Sequence, residues 1–124
     1  MPEIRSVMFR LADEYEPGRK MLADAISKVA RREGVSLTAT GAKSVSEEVL
    51  DKWLQPGSPG HEPNVKAVFC FCVAVGNFSP LGPLFDRAGL VVIPKKDLED
   101  LEYGRVCREE KQLRERKKAL EARR

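Results

Sequence analysis

Three cysteines and a single histidine are the residues best suited to hold a metal. Cys70-Phe71-Cys72, with His61 nine residues before it and Cys107 far downstream, could supply four ligands of the type zinc accepts. The spacing opposes this. On a helix, positions i and i+2 point about 200° apart and cannot share an ion, whereas on a strand they would share a face. Both cysteines also lie in the most apolar stretch of the chain, and free cysteine is among the most buried residue types. His61 sits in a loop-like SPGHEP segment (58–63). The expectation is structural cysteines, a solvated histidine, and neither a metal nor another cofactor.

Carboxylate pairs occur at Asp13-Glu14, Glu47-Glu48 and Asp97/Asp100. Adjacent acids on a helix usually mark a solvated face. The chain contains no phosphate loop, no nucleophile elbow and no HExxH. An enzyme is therefore not expected.

Charge is more informative. The 124 residues carry 22 Lys and Arg against 19 Asp and Glu, a net +3. Residues 1–94 hold 11 basic and 11 acidic side chains, so the whole excess lies in 95–124. This divides the chain into a neutral body (1–94) and a charged C-terminal extension (95–124). Apolar residues make up 42% and charged residues 33%, a globular composition. The longest uncharged apolar run, 67–76, is far below the roughly 20 residues of a membrane span. Glu3 and Arg5 interrupt the N-terminus, so no signal peptide is expected. With few cysteines and an odd number of them, the reading is a cytoplasmic, reduced protein with no membrane partner.

The elements that must position these groups follow from periodicity. Ile4, Val7, Met8, Leu11, Ala12 and Tyr15 form one helical stripe, ended by Pro17-Gly18. Met21, Leu22, Ala25, Ile26, Val29 and Ala30 form a second, stopped at Gly34. Residues 35–44 read as a polar connector with a turn of helix or, less favoured, a short strand. A third helix at about 44–54 is capped by Ser44 or Ser46, with Val49, Leu50, Trp53 and Leu54 inward. For 65–75, β-branched and aromatic composition suggests a strand, but Asn64, Gly76-Asn77 and the length favour a helix. Ser79-Pro80 starts a further helix with Leu81, Leu84, Phe85 and Ala88 inward, stopped at Gly89. Leu90–Ile93 reads as an extended segment that pairs as a strand or lies across the core. Trp53, Phe69, Phe71, Phe78 and Phe85 are expected in the core. In the extension, Val106, Leu113 and Leu120 recur every seven residues and offer a dimer seam, weakened because the second heptad position is charged. The fold class is mainly α, a bundle of about five helices with a helix–turn–helix-like core and a helical extension.

SVSEEVLDKWLQPG followed by PNVKAVFCFCVAVGN resembles the second half of the Cro/repressor-type helix–turn–helix superfamily. A closer likeness is to bacteriophage CII-type regulatory proteins. It rests on YEPG (15–18), KSVSEEVLDKWLQPG and the ending RAGLVVIP (87–94), and covers roughly residues 5–94. The resemblance implies a phage- or prophage-type transcriptional regulator that binds double-stranded DNA as a homodimer. It also implies that the helix at 44–54 enters the major groove and that Lys43, Ser44, Ser46, Glu47 and Lys52 face DNA. Arg31 and Arg32 are added as phosphate contacts on charge alone. The sequence departs from the pattern in two ways: 31–43 is longer than the compact turn, and Glu47, Glu48, Asp51 and Lys52 give the groove-facing side a net −2. Acids oppose phosphate binding, although a Glu can accept from a cytosine amino group. The alternative is a non-enzymatic protein–protein interaction module on the same scaffold.

Overall fold

A computed structural model describes residues 2–124, and all regular structure among them is helical. The chain forms two compact units, Met1–Val92 and Ile93–Arg124. The first contains α1 (Pro2–Glu14), α2 (Arg19–Glu33), α3 (Glu47–Trp53), α4 (Val65–Val75) and α5 (Gly82–Asp86), with a 3-10 turn at Ser79–Leu81. The second contains a 3-10 turn at Lys95–Asp97 and the long helix α6 (Leu98–Glu121).

The core of the first unit is built on α2 and α4. Leu22, Ile26 and Ala30 of α2 and Ala67, Cys70 and Phe71 of α4 have no solvent exposure. α1 adds Met8 and Ala12, and α3 adds Leu50 and Trp53. The run 65–75 is a helix because both of its ends are set by local chemistry. The Asn64 side chain accepts from the Ala67 N–H at 2.7 Å. Gly76 takes the left-handed conformation, φ 71°, and its N–H bonds back to the last turn. Gly34 closes α2 in the same way, at φ 66°.

The connector 34–46 is irregular, with neither the strand nor the turn of helix considered from sequence. It folds on itself through Leu37 N–H to Ala42 O at 2.7 Å and buries Leu37. It is tied to α2 by Ser27, whose hydroxyl accepts from Val45 N–H at 2.9 Å and donates to Ala23 O. α2 and α3 are thus joined by a long pinned loop in place of a tight turn.

Three expectations need correction. The helix from Ser79 is broken into a 3-10 turn and the short α5. Pro83 has no N–H to reach Ser79 O, and the Gly82 N–H closes the turn onto that carbonyl instead. Of its proposed inward residues, Leu81 and Phe85 are only half-buried, Leu84 and Ala88 are exposed, and Pro80 is buried. Leu90–Ile93 forms no strand and is exposed, Val91 at 83%. Phe71 and Trp53 are core, but Phe69 and Phe78 are about 40% exposed and lie against each other with centroids 6.4 Å apart. Phe69 falls on the side of α4 away from α2, where the period-3.6 stripe places Val65 and Lys66.

Candidate nucleic-acid interface

α3 is short, and each of its sides is fixed by a different kind of interaction. Its first turn is capped by Ser46, whose hydroxyl accepts from Val49 N–H at 3.2 Å; Ser44 makes no such bond. Glu47 and Glu48 follow in the first turn, where negative charge meets the positive end of the helix dipole. The back of the helix is Leu50 and Trp53, both buried.

The far end is held by Arg5 of α1. This arginine is only 4% exposed. Its Nε donates to Trp53 O and one terminal nitrogen donates to Lys52 O, both at 2.7 Å. Longer bonds of 3.2–3.4 Å run to the carbonyls of Pro56, Ser58 and His61. Every N–H of the guanidinium therefore points at a carbonyl. The cation sits at the last carbonyls of α3, where the negative end of its dipole lies. One side chain thus caps α3 and shapes the loop 54–61 that follows it.

Ion pairs change the charge of the outward face. Asp51 is bound by Arg19 at 2.8 Å, and Arg19 also lies 3.8 Å from Asp13 and over the Phe9 ring at 5.4 Å. Glu48 pairs with Lys52 one turn on, at 3.7 Å. Among the described residues, Glu47 has no ion-pair partner. Lys52 is already counted in the net −2 of this face, so Arg19 from α2 is the one added cation, and it brings the net to −1.

The proposed DNA-facing residues fall into three places. Lys43 and Ser44 are exposed on the connector, and Ser46 and Glu47 are exposed at the start of α3. The Ser27–Val45 bonds hold this group beside the middle of α2. Arg31 and Arg32 are exposed in the last turn of α2, with Arg32 3.3 Å from Glu33. Lys52 is half-buried at the other end of α3, about 9 Å along the axis from Ser46. Val106, Leu113 and Leu120 are exposed on α6.

Cys70 and Cys72 are free and buried, and Cys107 is free and exposed. Burial pushes the Cys72 thiol up to about 11. Burial also raises Cys70, with Glu33 adding to the rise and Arg32 opposing it. Among the described residues, no three His, Cys, Asp or Glu side chains are grouped to hold a metal ion. A shallow cleft of about 110 Å³ lies between α1, the start of α4 and Leu81–Leu84, with Ile4, Val65 and Val68 in its wall.

Arg5 and Arg19 were not anticipated as parts of this site. The signal for Arg5 was its place in the stripe: Arg5, Met8 and Ala12 are the buried residues of α1, so a cation occupies a core position. Nothing in the sequence marks Arg19 as the partner of Asp51, since the two are 32 residues apart. No family model matches this chain, and no curated protein or solved structure matches it.

Proposed function

We propose that this protein is a small DNA-binding transcriptional regulator, of the kind found in phages and prophages, that presents α3 to the major groove and acts as a homodimer. The observation carrying the reading is the fixing of α3. An exposed helix is capped by Ser46, backed by Leu50 and Trp53, and clamped at its end by Arg5. A reading helix must be rigid in this way, because side chains meet base edges only when the backbone behind them is held. Lys43, Ser44, Ser46 and Glu47 would meet DNA at the start of the helix. Arg31, Arg32 and Lys52 would supply phosphate contacts around it. The Arg19–Asp51 pair lowers the repulsion that the sequence of α3 suggests, taking its outward face from a net −2 to −1.

The test is binding of the full chain to duplex DNA across a salt series. Each phosphate-bound cation contributes about 0.9 to the slope of log K against log salt. Lys43→Ala and Lys52→Ala should each flatten the slope by about one. Glu47→Gln, which removes the unpaired acid, should tighten non-specific binding. Unchanged slopes in both lysine variants would remove α3 from the interface.

A second reading is a protein-interaction module. The exposed Glu47 and Glu48 at the head of α3, on a neutral body, favour it. A basic protein surface would then be the partner, and Glu47→Gln would weaken binding.

A further inference from the structure

α6 is a 24-residue helix that buries none of its residues. Helices in proteins owe most of their stability to packing an apolar face. α6 has such a face: Val106, Leu113 and Leu120 repeat at heptad spacing and are 57%, 65% and 54% exposed. The other seam position of the same heptads is filled by Tyr103, Glu110 and Lys117.

The charges of α6 are sorted along its length. Residues 98–110 carry five acids and two arginines, net −3. Residues 111–124 carry seven bases and two glutamates, net +5. We propose that α6 pairs with α6 of a second copy of this chain, and that the two helices run antiparallel.

Charge decides the direction. A parallel pair sets Glu110 against Glu110 and Lys117 against Lys117 in the seam, and lays each charged half beside its like. Facing like charges cost stability and select against a pairing. An antiparallel pair sets the acidic half against the basic half. It puts Glu110 and Lys117 opposite positions of the apolar stripe. It also brings Glu102 and Glu109 within reach of Arg123 and Arg116 of the other copy. Within each helix, Glu110 is already bound to Arg114 at 2.7 Å, which shields its charge along the seam. With one apolar residue per heptad, the pair is a concentration-dependent dimer, not a permanent one.

This deepens the homodimer part of the proposed function and makes no use of DNA. Its failure leaves groove binding by α3 standing, and the reverse also holds.

The experiment uses the full chain. Sedimentation equilibrium over a wide concentration range should show a monomer–dimer equilibrium. Leu113→Ala keeps a strong helix former in place and should weaken dimerisation roughly tenfold. Direction comes from electron-spin distances between like labels in a Cys107→Ser background, with Leu98→Cys in one protein and Ala122→Cys in another. Cys70 and Cys72 are buried and stay unlabelled. In an antiparallel pair the two axial separations add to about 70 Å at 1.5 Å per residue, whatever the register. A monomer at every concentration would overturn the proposal. So would a dimer indifferent to Leu113→Ala, or one in which both separations are short.

Discussion

Arg5 is the residue on which most local order depends. Its five N–H groups serve five carbonyls, two of them in the last turn of α3, where Lys52 O also accepts from the Gln55 N–H at 3.3 Å. Replacing it with methionine keeps the stem but leaves Trp53 O without a donor and Lys52 O with the Gln55 N–H alone. The expected loss is about 3 kcal/mol, read from the urea midpoint, because hydrogen bonds to a charged group are worth more than neutral ones. A loss below about 1 kcal/mol would mean that water replaces the guanidinium without penalty. The thiols give a second test. In the native protein, a thiol reagent should titrate Cys107 quickly and reach Cys70 and Cys72 only on unfolding. The folded state holds the Cys72 proton more tightly than the unfolded chain does. That contribution to stability is complete below pH 9.0 and is lost as pH rises toward about 11. Stability measured across this window should fall, and Cys72→Ala should lessen the fall. The apolar neighbours of Cys70 and Cys72 marked these two for burial in the sequence. The sequence showed Arg5 only as a charge, because the carbonyls it binds lie about fifty residues away and carry no side-chain signature.

At the scale of the elements, what was local was legible. The stripes of α1 and α2, the Asn64 cap and the glycine stops follow from periods and end chemistry within one segment. Ser46 and Ser44 both looked able to cap α3, and the structure chooses Ser46. Ser46→Ala should cost about 1 kcal/mol, whereas Ser44→Ala should stay within about 0.5 kcal/mol, both by thermal or denaturant unfolding. Equal costs would contradict the cap. Gly76→Ala forces a Cβ into the left-handed region and should also destabilise by about 1 kcal/mol, although no atom crowds the site. What failed depended on competition between neighbours. The Ser79 helix looked continuous because Pro80 is a good first-turn residue, yet Pro83 removes the N–H needed one turn later. The exposed position of Phe69 on α4 follows from the same limit, whereas Phe78 lies beyond the end of that helix. Aromatic content says that a residue prefers burial, but helix phase decides whether it obtains it.

For the whole molecule, the decisive quantity is the charge that α3 and its surroundings show to a partner. Summed along the sequence, the body is neutral and the outward face of α3 is acidic. In the fold, Arg19 and Lys52 neutralise two of the three acids, leaving Glu47 amid Lys43, Ser44 and Ser46. That redistribution could not be read from the sequence, because the ion pair that does most of it joins α2 to α3. The basic C-terminal extension offers a rival source of DNA affinity, so the body must be tested without it. The most direct measurement is fluorescence anisotropy of random-sequence duplex DNA across a salt series, with the full chain beside a chain ending at Pro94. If four cations of the first unit meet phosphate, both proteins should bind at low salt with log–log slopes of roughly −3 to −4. Absence of binding by the shorter chain, whether or not the full chain binds, would contradict a DNA interface built on α3.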